Sequence, residues 1–267
     1  MSDLSNENVV HIHKNGVEYL QFRRLLQYPE IEHCYTLREK LNFRKYENDH
    51  ILQESYEKIC NALKLDKNNI VKPHQTHTDR VEIVEKNTQV FDEVDGLITD
   101  QKDIILCTTS ADCTGLIFYD PVKKVIGNVH SGWRGTLQKI GQKTVKKMID
   151  IYGSDPKDII CCICPHIRKC HFEVEEDVKE LFEKEFNTTG RINEIITKGN
   201  IIDQNKQKYY IDTTLINKLI LKEIGLKEEN IIDSGICTVC HAESFHSYRV
   251  DKEQSGRNAT TVCIIEN

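Results

Sequence analysis

Asp95 to Gly135 reads DGLITDQKDIILCTTSADCTGLIFYDPVKKVIGNVHSGWRG. The stretch holds four apolar runs of strand length, DGLITD, IILCTT, TGLIFYD and KVIGNVH, each closed by a polar or small-residue cluster, and RVEIVE at 80–85 precedes them. Runs punctuated in this way predict a β-rich centre. Working outward, Lys14-Asn15-Gly16 separates VVHIH from VEYLQF, and Asn-Gly between such runs is the preferred signal for a tight hairpin. IICCIC at 159–164 and TTVCII at 260–265 are further strand candidates. Ile51, Leu52, Tyr56, Ile59 and Leu63 recur at helical spacing between Asn48 and Leu65. GTLQKIGQKTVKKMIDIY, from Gly135 to Tyr152, puts Leu137, Ile140, Val145, Met148 and Ile149 on one helical face, with Gly153 as its stop. VEEDVKELFEKEF at 174–186 is amphipathic. YYIDTTLINKLILKEIGL at 209–226, opened by Asp212 or Thr213, turns Leu215, Leu219, Ile220 and Ile224 inward. No linker, repeat or low-complexity tract divides the chain. The expected fold is α+β, mixed β-sheets packed with helices in a layered sandwich, as one domain over residues 1–267.

Composition bounds the chemistry. A chain of 267 residues buries roughly three quarters of its unfolded surface, so its core needs no disulfide staples. With 36 Lys+Arg against 42 Asp+Glu the net charge is −6, and a mildly acidic chain with scattered lysines lacks the basic face that nucleic acid requires. The apolar runs are far shorter than the roughly 20 residues of a membrane helix. The 11 cysteines are odd in number, and MSDLSNENVVHIHKNG has no basic segment followed by an apolar one, so a reducing, cytoplasmic setting is expected. The 11 cysteines and 11 histidines together suggest a metal or a nucleophile.

Three segments, KPHQTHTD, TSADCTG and NVHSGWRGT, each sit at a strand end, where side chains from separate strands can converge. His77, Cys113 and His130 are the candidates. Two imidazoles and a thiolate suit Zn²⁺, and three protein ligands leave a fourth position open, as catalytic zinc requires. Taken singly, each has an ordinary explanation, since a lone His is usually a hydrogen-bonded surface residue and a lone Cys a small buried hydrophobe. His74, three residues before His77, competes with it. In HSGWRGT, Gly132 and Gly135 allow close backbone approach, and Arg134 with the following helix N-terminus could hold an anion such as phosphate. The alternative is a tight turn with Trp133 in the core and Arg134 solvated. Asp112 flanks Cys113 and is a loose candidate for a proton shuttle. Arg249 and Arg257, with Gly256, could form a second cationic wall. His11 and His13 form one H-x-H pair, best read as two exposed imidazoles. Cys237 and Cys240 form a CxxC, and Cys161, Cys162, Cys164 and Cys170 cluster elsewhere. Buried thiols are favoured at all of these, because a structural zinc site needs four ligands.

At these segments the sequence resembles the YfiH or laccase-domain family, once called multicopper polyphenol oxidases and now described as zinc-containing purine nucleoside phosphorylases with adenosine deaminase activity. The resemblance rests on Gln75-x-His77, Asp95-Gly96-Leu97-Ile98-Thr99, Ala111-Asp112-Cys113, His130-Ser131-Gly132-Trp133-Arg134-Gly135, Phe172-Glu173-Val174, Cys237-Thr238, Ser247-Tyr248-Arg249 and Gly256-Arg257. These run in the family's order from about Pro73 to the C-terminus. It implies His77, Cys113 and His130 as zinc ligands and catalytic residues, in preference to His74. It also implies Arg134, Gln75, Asp112, Arg249 and Arg257 around the substrate. The implied substrates are purine nucleosides (adenosine, inosine, guanosine and methylthioadenosine) with inorganic phosphate as co-substrate. The family's N-terminal Ser-Leu-Asn-Leu-Gly-like motif is represented only by Arg38 and Leu41-Asn42-Phe43. Two other chemistries fit the same residues. Cys113 with His130 could be the thiol and base of an amide hydrolase or a peptidoglycan-editing enzyme. A copper polyphenol oxidase would need several H-x-H pairs where the chain has one.

Overall fold

The computed structural model describes residues 3–45, 49–86, 90–202 and 206–266. The Asn48 start expected for the first helix lies outside them. Strands β1 (Val9–Lys14), β2 (Val17–Phe22) and β3 (Ile31–Thr36) come first, followed by helix α1 (His50–Leu63). Next are β4 (Ile70–Val71), β5 (Val81–Ile83), β6 (Gly96–Thr99), β7 (Ile105–Ser110), β8 (Thr114–Asp120) and β9 (Val125–Ser131). Helices α2 (Trp133–Leu137) and α3 (Ile140–Tyr152) lead to β10 (Ile160–Ile163) and β11 (Glu173–Val174). Then come α4 (Glu176–Phe186), α5 (Ile192–Ile195), β12 (Ile196–Ile202), β13 (Lys206–Ile211) and α6 (Thr213–Glu223). The chain closes with β14 (Ile231–Asp233), α7 (Tyr248–Asp251) and β15 (Asn258–Ile264).

Two six-stranded mixed sheets, ordered β1-β2-β3-β15-β7-β4 and β14-β10-β8-β9-β6-β5, stack face to face, and β11-β13-β12 form a small third sheet. Strand β8 is buried along its whole length because both of its faces are covered. Ile117 and Tyr119 point into the core shared with Leu20, Phe22, Leu106 and Val262 of the first sheet. Leu116 and Phe118 point the other way, into a core closed by Ile140, Val145 and Met148 of α3 and Ile216 and Ile220 of α6. A third core places α1 on the outer face of the first sheet, through Leu52, Tyr56 and Ile59. The result is a helix, sheet, sheet, helix sandwich, as the strand runs and amphipathic helices lead one to expect. Among the described residues, no helix is long and apolar enough to cross a membrane.

One buried polar residue joins the two sheets. Asn128 of β9 is fully buried, donates to the carbonyls of Leu106 and Thr260 at 2.8 and 2.7 Å, and accepts from the Thr108 hydroxyl at 2.8 Å. Because side chains alternate along a strand, this orientation also turns His130, two residues on, toward the space between the sheets.

The hairpin forms as expected, with Lys14 opposite Val17 and positive φ at Asn15 (53°) and Gly16 (77°), the signature of a type I′ turn. Three expectations are corrected. The helix read over Gly135–Tyr152 is two helices, broken at Lys139 in the left-handed region (φ 60°). Helix α6 opens at Asp212 and Thr213 as expected, the Asp212 side chain accepting from Leu215 N at 2.8 Å, and Tyr209 to Ile211 before it belong to strand β13. The buried residues of α6 are Thr213, Thr214, Ile216, Asn217, Ile220 and Leu221, a wider face than read from sequence, with Leu215, Leu219 and Ile224 half-buried against the same core, because the helix packs against α3 on one side and β14 on another. His11 is buried rather than exposed, its Nε2 lying 3.2 Å from Glu18, while His13 beside it stays in solvent.

Candidate functional site

Strand pairing puts the candidate residues together. Gly115 lies opposite His130 and Thr114 opposite Ser131, so Cys113, just before β8, sits beside the end of β9. His77 arrives on the loop after β4, with its backbone in the left-handed region (φ 63°). Cys113 Sγ is 3.8 Å from His77 Nε2, the His77 and His130 rings meet edge-on at 4.9 Å, and the ligand atoms of all three lie within 4.8 Å of one another. Gly132 makes this approach possible, since a Cβ there would stand 2.7 Å from the His77 ring. His74 lies outside the cluster, paired at 2.6 Å with Asp92 on the surface.

Asp95 organises the site, a role invisible in the sequence, where it reads as the polar start of a strand. It is fully buried, and its Oδ1 accepts from His77 N at 3.1 Å and lies 2.7 Å from His130 Nδ1. Its Oδ2 accepts from Thr76 N, Thr78 N and the Thr78 hydroxyl at 3.1, 2.7 and 2.9 Å. The carboxylate therefore holds the His77 loop and fixes a proton on His130 Nδ1, leaving Nε2 for the cluster. Burial works against charge on Asp95, yet the contact with His130 and the Thr78 hydrogen bonds outweigh it and hold the carboxyl at about 2. Burial also opposes the charged form of Cys113, but the His130 charge and hydrogen bond, helped by His77, bring the thiol down to about 6. Against the same penalty, the Cys113 thiolate and Asp95 raise His130 to about 9. Asp95, His130 and Cys113 are thus one electrostatically coupled set, each lowering the cost of charge on its neighbour.

The cluster lies in the wall of a cavity of about 1190 Å³. Of the other residues singled out in the sequence, Gln75, Asp112, Arg249 and Arg257 line it. Each is already engaged. Gln75 pairs with both backbone groups of Thr109 at 2.8 Å, as an added strand residue would. Asp112, at φ 82°, has one oxygen on the Thr238 hydroxyl at 2.6 Å and the other on Ser247 Oγ at 3.0 Å and Arg249 N at 2.6 Å, so it ties the C-terminal segment to the site. Arg249 donates to the carbonyls of His171 and Glu173 at 2.8 and 3.2 Å, and Arg257 to that of Gly256 at 2.8 Å. Arg134 is placed elsewhere. It is exposed, stacks over Trp133 at 4.3 Å, and does not line the cavity, and the helix behind it has only five residues, too short for a substantial dipole. Arg44, Lys45 and Lys72 stand on the cavity wall instead, and sequence spacing gave no sign of them. Arg38, from the divergent N-terminal segment, is committed to the Ala242 carbonyl at 2.6 Å and Asp251 at 3.4 Å.

The other thiols divide into two sets. Cys161, Cys162 and Cys164 are fully buried, as expected. Cys170 and Cys240 are exposed, and with Cys237 they gather around His171, contrary to the buried-thiol reading.

A family model described as multi-copper polyphenol oxidoreductase laccase matches residues 34–265. The chain is 30% identical over 223 residues to the purine nucleoside phosphorylase YlmD of Bacillus subtilis, covering 79% of this chain and 77% of that protein. It is 29% identical over 234 residues to the adenosine deaminase RL5 of an unknown prokaryotic organism, covering 83% and 86%. In structure it is similar to the Bacillus licheniformis hypothetical protein YfiH, with a TM-score of 0.83, 24% identity and coverage of 92% and 96%. A match spanning all but the first strands and the last two residues, with the fold of that structure, establishes that the chain belongs to the multi-copper polyphenol oxidoreductase laccase family, the YfiH-like proteins.

Proposed function

We propose that the protein is a purine nucleoside phosphorylase with zinc-dependent adenosine deaminase capacity, cleaving adenosine, inosine, guanosine or methylthioadenosine with inorganic phosphate. The observation that carries this reading is the convergence of His77, Cys113 and His130, backed by Asp95, on a cavity large enough for a nucleoside and an anion together. The donors fit zinc. Two neutral imidazole nitrogens and one thiolate form a three-ligand set with a free fourth position, and the 3.8 Å between Cys113 Sγ and His77 Nε2 is close to the roughly 3.6 Å separation of sulfur and nitrogen on a tetrahedral ion. Zinc held there would supply Lewis-acid polarisation at the open position. The usual axial ligand of a His₂Cys copper site is a methionine, and Met148 is buried in the helical core and does not line the cavity.

The chain's own groups have separable tasks. Asp95 keeps the proton on His130 Nδ1 and the Nε2 lone pair directed at the cluster. Arg44, Lys45, Lys72 and Arg257 bring cationic groups to the cavity wall that suit phosphate, the nucleophile that would displace the base from the ribose. Phe91 and Phe172 offer apolar surface to a purine and exclude water from the departing base. Asp112 and Gln75, both engaged by hydrogen bonds to the surrounding chain, hold Cys113 and the His77 loop in register and act as positioning residues.

The test is metal content by mass spectrometry alongside phosphate-dependent hypoxanthine release from inosine, for wild type and Cys113→Ala. Joint loss of this site's zinc and of turnover is expected in the variant. Full turnover by a metal-free wild type would overturn the zinc reading, and if Cys113→Ala is then inactive the thiol-nucleophile alternative takes its place. Bound copper with oxidation of a phenol and no phosphorolysis would restore the oxidase reading.

A further inference from the structure

Cys170, His171, Cys237 and Cys240 come from two distant parts of the chain. The first pair sits in the turn before β11, and the second is the CxxC beyond β14. All four ligand atoms lie within 4.8 Å of one another. His171 Nδ1 is 3.2 Å from Cys170 Sγ, 3.6 Å from Cys237 Sγ and 3.5 Å from Cys240 Sγ, and Cys170 Sγ is 3.8 Å from Cys240 Sγ. For Zn–S of about 2.3 Å and Zn–N of about 2.05 Å, the edges of a tetrahedron are about 3.8 Å for S···S and 3.5–3.6 Å for S···N. Three of the four separations given, 3.8, 3.6 and 3.5 Å, match those lengths, the 3.2 Å from His171 Nδ1 to Cys170 Sγ is a few tenths of an ångström shorter, and four donors make a closed shell with no position left for substrate. Tetrahedral thiolate-rich coordination of this kind suits zinc, and a closed site is structural.

We propose that these four residues form a second, structural Zn²⁺ site of the Cys₃His type. The backbone is arranged for it. Cys237 pairs with His166 in an isolated parallel bridge, Phe172 N is bonded to Arg168 O at 2.8 Å, and Arg249 holds the His171 carbonyl at 2.8 Å. An ion here would tie the segment carrying Ile167, Phe172 and Glu173, which lines the catalytic cavity, to the loop carrying Thr238, which holds Asp112 beside Cys113. Its work is to keep one wall of the cavity in place, and the assignment does not depend on what reaction that cavity performs.

The test separates the two sites. Protein purified under reducing conditions and dialysed against metal-free buffer is analysed as wild type, Cys113→Ala, and Cys113→Ala with Cys170→Ser and Cys240→Ser. Cys113→Ala should keep about one zinc per chain and the triple variant none. Refilling Cys113→Ala with Co²⁺ should give the thiolate-to-cobalt charge-transfer band and the intense visible bands of tetrahedral coordination. Wild type tests the same point without mutation, so a misfolded variant leaves the proposal exposed. Cys170 and Cys240 are solvent-exposed thiols, yet they should resist iodoacetamide until a strong chelator is added. Zinc-free Cys113→Ala, a Cys170–Cys240 disulfide in place of metal, zinc retained by the triple variant, or alkylation indifferent to chelator would each overturn the assignment.

Discussion

Asp95→Asn is the sharpest probe of how the site is built, because an amide offers one acceptor oxygen where five hydrogen bonds converge on two. With its oxygen at the Oδ2 position, Asn keeps Thr76 and Thr78 but turns its NH₂ toward His77 N and His130 Nδ1. His130 can answer only by changing tautomer, so that Nδ1 accepts and the proton moves to Nε2, the nitrogen facing Cys113. The His77 N–H is left facing an NH₂ in a part-buried site, a cost of at most about 1–3 kcal/mol. For a chain of this length that is roughly 2–6 °C in Tm. Reversing the tautomer before ligation should weaken zinc by about 10–100-fold, the usual effect of losing an outer-shell partner. The opposite amide rotamer sets NH₂ against three donors and is worse. The assay is protection of Cys113 from alkylation across a series of buffered free-zinc concentrations, read by peptide mass spectrometry so that the other thiols do not interfere. Thr78→Val is the control. It removes the hydroxyl's bonds to Oδ2 and the Glu93 carbonyl and the one it accepts from Arg80 N, but spares the four other bonds to Asp95; it should cost about 1–3 kcal/mol and leave the protection curve in place. Coincident curves for Asp95→Asn and wild type, with equal melting temperatures, would refute the assignment of Asp95 as the group that sets the His130 tautomer.

Gly132→Ala places a Cβ 2.7 Å from His77 Cδ2 and 3.5 Å from Cys113 Sγ; because His77 is on an exposed loop that can retreat, zinc occupancy should fall while Tm stays within a few degrees. In the metal-free protein, Cys113 should alkylate with a midpoint near pH 6, its thiolate populated above that value, and His130→Ala should move the midpoint up toward the ordinary thiol range. A wild-type midpoint already in that range would count against the ion pair. Asp95, held at about 2 from an unfolded value near 4, contributes roughly 2 kcal/mol that is fully present above about pH 4 and is lost as pH falls toward 2. Acid unfolding of Asp95→Asn should therefore lack this component. Asn128→Ala leaves two carbonyls and a hydroxyl unsatisfied between the sheets, and should cost about 2–5 kcal/mol with little effect on zinc binding if the sheets keep their spacing. A denaturant titration beside a metal assay checks both halves.

Much of this was legible in the sequence. The strand runs around Leu116 and Ile126 are apolar at nearly every position because both faces of β8 and β9 are covered, and such runs announce a sandwich core. Asn15-Gly16 announced its hairpin. Strand ends also nominated His77, Cys113 and His130, although choosing His77 over His74 took the resemblance, and geometry then agreed. Periodicity misread the segment where a tertiary contact decides: at Lys139 a left-handed residue turns α3 back onto the sheet.

Polar residues whose meaning lies in a distant partner were the ones that escaped. Asp95 is a turn residue by composition, and only the arrival of β9 beside β6 makes it the anchor of His130. Arg134 shows the converse, since its motif is intact while its guanidinium lies on Trp133, outside the cavity it was expected to line. The Cys/His cluster is the strongest case. A single CxxC looks half complete, and its other two ligands lie 66 residues or more upstream, next to each other in a spacing that no zinc-knuckle pattern contains. Ligand spacing is informative in sequence only when one loop supplies both halves of a site. Here the sheet and the small β11-β13-β12 layer supply the geometry, so the donors could be recognised only after the fold had brought them together.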